Sequence, residues 1–247
     1  MLLRCLRADF QKVRRLGPGA AHLIIPPGVA AIFLLYYVYT PWKAESKIEA
    51  YYQVLAMGFP ILIGVFCAQL AGQESSAGAF QNMLSVQRRV AVFFSKLLLL
   101  LLSGLGAVLL ASGLFGAGFY FLLRERAVGG TCYFAAALVL FGSQLFLYVL
   151  HLFLAFAMNK GVTVGVGIVE SLLSALLLTG MGEGVWPLVP AAWGGRLVTL
   201  LLRKYSFCAM IGADARLAAC VCILATVGSM VAFGVWACRW EGVRGNE

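Results

Sequence analysis

Six apolar blocks recur along the chain, at about 20–40, 51–71, 97–123, 132–158, 162–180 and 216–238. Each holds enough consecutive nonpolar residues to cross a bilayer as a helix, which takes about 20. Blocks of this length are too long for barrel strands, and lipid offers the backbone no hydrogen-bond partner, so all six are predicted to be helices. Pro26-Pro27 falls inside the first block and predicts either a kink or a helix that starts later. The expectation is an all-α integral membrane protein with six transmembrane helices, residues 1–247 forming a single domain.

Three segments between the blocks are patterned rather than merely polar. In residues 1–18, Leu2, Leu3, Leu6 and Phe10 fall near one helical face, while Arg4, Arg7, Lys12, Arg14 and Arg15 fall largely on others. That is the pattern of an amphipathic helix lying on an anionic leaflet. No small-x-small cleavage site follows the block that ends at Thr40, so the first span is expected to be retained.

In residues 73–96, QESSAGAFQNMLSVQRRVAVFFSK, the residues Phe80, Met83 and Leu84 share helical spacing. Gln81, Asn82, Arg88 and Arg89 lie elsewhere around the wheel. Such a helix either offers a face to a soluble partner or lies on the headgroups as a connector. The stretch 181–215 is too apolar for a free linker. Trp186 and Trp193 sit among Pro187, Pro190, Gly194 and Gly195, which reads as aromatic-belt residues on a broken, partly re-entrant segment or as the anchors of an interfacial helix.

Composition excludes a soluble domain: 62% of residues are hydrophobic, 12% are charged and the mean hydropathy is +0.92. The formal charge of +9 does not signal nucleic acid, because the basic residues stand at the ends of apolar blocks. Eleven of the 19 Lys and Arg residues fall in 1–19, 72–96, 159–161 and 239–247, all on one side of a six-span chain. The two short loops on the other side hold Lys43, Lys47, Arg124 and Arg126. Both termini and the 73–96 segment are therefore expected in the cytoplasm, in a multi-pass membrane protein.

The chain carries no P-loop, no H-E-x-x-H and no G-x-S-x-G, and its seven cysteines lack metal-ligand spacing. The polar residues within the spans or at their ends are Gln69, Gln144, His151 and Glu170. A carboxylate at membrane depth costs a few kcal/mol, so Glu170 is expected to face other helices or a wet cavity. It serves either function or an interhelical hydrogen bond with His151, Gln144 or a partner subunit. Gly161-Val-Thr-Val-Gly165 is a G-x-x-x-G suited to close helix approach. An intramembrane enzyme using Glu170 or His151 and a sensory or scaffold protein are the readings from other classes.

The 73–96 segment resembles the coupling loop of type-2 ABC exporter permeases, which reads as an acidic residue, Gly-Thr, Leu-Leu, Pro, Arg and a Lys opening the third span. Here Glu74, Gly78, Met83-Leu84, Arg88 and Lys96 stand in that order, with Ala79 in place of Thr and Val86 near the usual Pro. The stretches 51–84, 95–102 and 167–197 are similar to the lantibiotic-immunity permeases of that superfamily, most specifically at TGMGEGVWPLVPAAW.

The resemblance implies a transport subunit without catalysis or cofactor of its own. ATP and Mg would belong to cytoplasmic ABC ATPase partners, and a second related permease chain would complete an exporter of an antimicrobial peptide. It implies ATPase coupling through the 73–96 segment, with Glu74, Gly78, Phe80, Met83, Leu84, Arg88 and Arg89 as the candidates; Gln144, His151, Glu170, Trp186 and Trp193, from the reading of the spans and the broken stretch, are the candidates for a substrate pathway or helix interface. Another drug, a lipid or a polysaccharide is the alternative cargo.

Overall fold

The computed structural model describes residues 2–15, 18–86, 89–125, 127–207 and 212–242, and every regular element among them is helical. In chain order these are α1 (Leu2–Arg15), α2 (Pro18–Tyr39), α3 (Ala44–Ser76), α4 (Gln81–Leu84), α5 (Arg89–Phe121), α6 (Gly130–Ser143), α7 (Leu145–Ala157), α8 (Lys160–Leu177), α9 (Pro190–Phe207) and α10 (Ala213–Arg239). Six units are long and apolar enough to cross a membrane: α2, α3, α5, the pair α6–α7, α8 and α10. The chain is thus an all-helical multi-pass membrane protein.

The helix bounds differ from the apolar blocks for a physical reason. α3 and α5 run 33 residues each, about 50 Å, and so project beyond a hydrocarbon core of about 30 Å. Their polar ends stay helical because ion pairs within the protein hold them. At one end, Lys47 Nζ lies 2.7 Å from Glu125 Oε1, joining the start of α3 to the loop after α5. At the other, which carries both described chain ends and is here called the terminal face, Lys96 joins α5 to α3 and α1. α2 passes through Pro26 and Pro27 as one helix, not one that starts after them. The fourth span breaks at Gln144, between α6 and α7.

α3 is the central helix and packs against α7, α8 and α9. Its approach to α8 is a backbone seam. A Cβ on Gly167 would stand 2.8 Å from the Pro60 carbonyl oxygen, and one on Gly64 would stand 2.9 Å from that of Thr163. The Ser171 hydroxyl donates to the Met57 carbonyl on the same seam. The G-x-x-x-G at Gly161–Gly165 does not form it. A Cβ on Gly165 would meet nothing within 4 Å, and one on Gly161 only the side chain of Asn159.

The 178–207 stretch is broken and re-entrant. It passes through two short 3-10 turns, Gly180–Gly182 and Trp186–Leu188, before α9 begins. Near its start α9 lies against the break in the fourth span, with Trp193 edge-on to Phe146 at 6.0 Å. Farther along, α9 meets the first turns of α3, where Arg203 NH2 lies 3.0 Å from Glu49 Oε1 and Gln53 Nε2 donates to Thr199 Oγ1 at 3.1 Å.

The aromatic-belt expectation for the two tryptophans is corrected here. Trp186 and Trp193 are buried in a small core with Leu177, Ala192, Ala218 and Cys222. The Trp193 indole N–H donates to the Pro187 carbonyl at 2.8 Å, so its ring does not need the headgroup layer for its polar edge.

The seam gives a paired prediction on one helix. Gly167→Val should overpack α3 against α8 and cost about 1–3 kcal/mol or more, seen as a lowered midpoint of thermal unfolding in detergent. Gly165→Val, two residues away in open space, should leave that midpoint nearly unchanged.

Candidate functional site

The terminal face gathers α1, the end of α3, α4, the start of α5 and the end of α10. α1 is the amphipathic helix expected from its leucines and arginines, yet its one carboxylate, Asp9, is buried. Asp9 Oδ2 accepts from the Ser95 hydroxyl, and its Oδ1 lies 3.2 Å from Lys96 Nζ. Lys96 also donates to Glu74 Oε1 at 2.6 Å, and that oxygen receives Lys12 Nζ at 2.9 Å. Two carboxylates and two ammonium groups thus balance in one chain of contacts that binds α1 to α3 and α5. Lys96 is 1% exposed, Glu74 4% and Asp9 5%.

Buried charges tolerate this only with every partner in place, because desolvation of a lone ion outweighs most other local effects. The resemblance to the permease coupling loop singled out Glu74 and Lys96 but not Asp9, Lys12 or Ser95 as their partners. The available signal was Asp9 itself, the sole acidic residue of a basic amphipathic helix, one turn before Lys12.

Beyond Glu74 the backbone turns sharply. Gly78, Ala79 and Phe80 have φ of +125°, +47° and +65° in succession. Two non-glycine residues in the left-handed region cost of order 1–3 kcal/mol each, so the surroundings must fix this turn. They do so through Phe80, whose ring lies 5.9 Å from that of Phe156 and edge-on to Trp240 at 5.5 Å. Met83, one turn on, is 2% exposed, and Leu84 is half-buried. The Trp240 indole N–H donates to the Phe156 carbonyl at 3.2 Å, and its own carbonyl accepts from Arg89 NH1 at 2.6 Å.

The segment's inward face is therefore Phe80, Met83 and Leu84. Its exposed ridge is Ser75 to Ala79 with Gln81, Asn82 and Ser85; Gln81 and Asn82 are the residues the helical pattern set apart from the apolar face, and the rest, Gly78 excepted, were not singled out. Arg88 lies outside the described residues.

The second group of expected residues lies deeper. His151 Nε2 and Glu170 Oε2 are 2.7 Å apart, which pairs α7 with α8, and the imidazole packs beside Gly64 of α3. The Gln144 carboxamide sits buried at the break in the fourth span, next to Gly194 of α9, and neither of its polar atoms has a hydrogen-bond partner among the described residues. Gln144 and His151 share the α6–α7 span, one at the break and one along α7, while the two tryptophans are held with α9. The structure thus distributes these five residues over helix interfaces.

Arg196 was not foreseen. Its Nε donates to the Leu177 carbonyl at 2.8 Å, NH2 to the Thr179 carbonyl at 2.7 Å and NH1 to Glu183 at 2.8 Å. It thereby satisfies carbonyls left open at the end of α8 and fixes the re-entrant turn.

A six-span helical bundle with an amphipathic helix locked by charge to a strained turn at one face is the build of a membrane-embedded permease. The chain belongs to the ABC-2 family transporter proteins, whose family model matches residues 5–175. It is accordingly a transport subunit, of a family that works with an ABC ATPase. The match takes in the ion cluster, the strained turn and the His151–Glu170 pair. No curated protein and no solved structure matches the chain.

Replacing Lys96 by Met should leave buried Asp9 without an ionic partner and Glu74 with Lys12 alone, and cost about 3–5 kcal/mol, read as loss of folded protein or a large drop in unfolding midpoint. Lys12→Ala removes a cation whose side chain is 42% exposed and leaves Glu74 paired with Lys96, so it should cost less, about 1–3 kcal/mol.

Proposed function

We propose that this permease is one of two related chains in an exporter that expels a lantibiotic-type antimicrobial peptide from the bacterial cytoplasmic membrane, giving self-protection or resistance. The cargo assignment is supported by the similarity of 51–84, 95–102 and 167–197 to lantibiotic-immunity permeases. The mechanism is supported by one observation above all, the ion cluster that ties the 73–86 segment to α1 and α5.

In this reading ATP and Mg are held by cytoplasmic ATPase subunits, and both termini of the permease lie on that side. Closure of the ATPases presses on the ridge Ser75–Ala79, Gln81 and Asn82. Phe80 and Met83 anchor the ridge from beneath, and Glu74 is held by Lys96 and Lys12, so the load passes to α1 and α5 instead of bending a loop. Glu74, Met83 and Leu84 then act in coupling as internal struts, and the partner meets the polar ridge. Gly78 permits the turn that presents it. The His151–Glu170 pair moves α7 and α8 together, and Gln144 and the Trp186–Trp193 core mark where α9 rests on the fourth span.

The deciding experiment expresses the chain with its neighbouring ATPase and second permease in a sensitive Gram-positive host and measures peptide released to the medium. Release and survival are expected. Absence of protection against every lantibiotic tested, with all subunits present, overturns the cargo assignment in favour of another drug, a lipid or a polysaccharide. Gln81→Trp on the ridge should lower export by about tenfold, the size of an interface hot spot, with the permease's unfolding midpoint little changed. Glu74→Ala should uncouple ATP hydrolysis from export. For topology, a cysteine placed at exposed Ser76 in a cysteine-free background should resist impermeant thiol reagents in intact cells. Labelling from outside would invert the orientation.

A further inference from the structure

A groove of about 990 Å³ opens on the perimeter of the terminal face, between the first residues of α1, the end of α4, the first turns of α5 and the last turn of α10. Its walls are mostly hydrocarbon: Leu2, Leu84, Val90 and Phe94 line it, and Ser85 and Arg89 supply its polar edge. The position is where an interfacial helix meets the ends of spans, the depth at which a phospholipid changes from chain to headgroup.

Among the described residues no carboxylate pairs with the charge on this groove. Every other described cation that is buried or half-buried meets a carboxylate: Lys12 and Lys96 meet Glu74, Lys47 meets Glu125 and Arg196 meets Glu183. Arg89 is half-buried, and among the described residues its guanidinium has only the neutral Trp240 carbonyl. That bond fixes one edge of the guanidinium. Trp240 itself is held by Phe80, Phe93 and Phe156, so Arg89 is oriented from behind by a rigid aromatic cluster. A guanidinium held in this way presents its remaining donors in a planar fork suited to a phosphate. Among the described residues no acidic side chain lines the groove to compete for it.

We infer that this groove holds one anionic phospholipid, its phosphate on Arg89 with the Ser85 hydroxyl beside it and an acyl chain along Val90, Phe94 and Leu2. The charge of Arg89 selects an anionic headgroup, and the apolar wall selects a membrane lipid over a free phosphate. The exposed Arg4 and Arg7 on α1 add a diffuse attraction for the same leaflet without forming the site. The lipid fills the space between α1 and α10 and braces the first turn of the interfacial helix, about two turns before its ion cluster. This inference rests on Arg89 and its surroundings and does not depend on the cargo.

The test is native mass spectrometry of the delipidated full-length chain titrated with phosphatidylglycerol or with phosphatidylcholine of the same acyl chains. Wild type should retain one phosphatidylglycerol with a preference of about five- to tenfold. Arg89→Gln should bring retention down to the phosphatidylcholine level, and Arg4→Gln should leave the preference nearly intact. Ala91→Trp, which fills the groove and keeps Arg89, should lower retention of both lipids and so provides a second reading if Arg89→Gln misfolds. Equal retention in wild type, Arg89→Gln and Ala91→Trp overturns the site. Equal losses in Arg4→Gln and Arg89→Gln overturn it in favour of diffuse surface charge. A gain of bound lipid on removing residues 243–247 overturns it in favour of the chain's own terminus as the occupant.

Discussion

Lys96 is a cation withdrawn almost wholly from water, and the terminal face is arranged to make that tolerable. Its ammonium group holds one carboxylate from α1 and one from α3, and a second ammonium, from Lys12, balances the charge. Taken alone, each of these groups would be costly to bury. Together they fix the helix that lies along the membrane to the two longest helices that cross it. An apolar contact at the same place would hold about as well but would let α1 slide, since hydrophobic attraction has little direction. Paired charges with hydrogen bonds fix both distance and angle.

The strained turn at Gly78–Phe80 depends on that anchorage. A left-handed alanine and phenylalanine persist only where both flanks are fixed, and here Glu74 holds one flank and the Phe156–Trp240 cluster the other. The outcome is a small polar ridge on a stiff base, the property that the proposed coupling role calls for. Deeper in the bundle the fastening changes in kind. α3 and α8 meet through backbone at Gly64 and Gly167, and α9 is held by Arg196, Arg203 and a buried tryptophan. In lipid there is no hydrophobic force to drive helices together, so close packing and hydrogen bonds carry the association.

Most of the architecture was legible in the apolar blocks because a bilayer imposes length and helicity on any segment that crosses it. The amphipathic α1 was legible for the same reason, as its leucines and arginines sort by solvent. Less legible was which of several equivalent glycines makes a helix contact. Gly161 and Gly165 have the familiar spacing, yet Gly167 and Gly64 make the seam, because the face of α8 that meets α3 is chosen by the whole bundle. The tryptophans misled in a similar way. Their neighbours Pro and Gly announced a broken segment, but burial of the rings follows from how that segment folds back on the fourth span.

The sequence by itself determined six spans, a surface helix at the start, a polar break after the second span and a broken stretch before the last, since each of these is a local response of the chain to lipid or water. Only the tertiary structure decided the partners. Asp9 and Lys96 are 87 positions apart, His151 and Glu170 stand on successive helices, and Arg89 meets the carbonyl of Trp240. Such pairs depend on distances between helices, and the pattern within any one helix carries no record of which neighbour it will face.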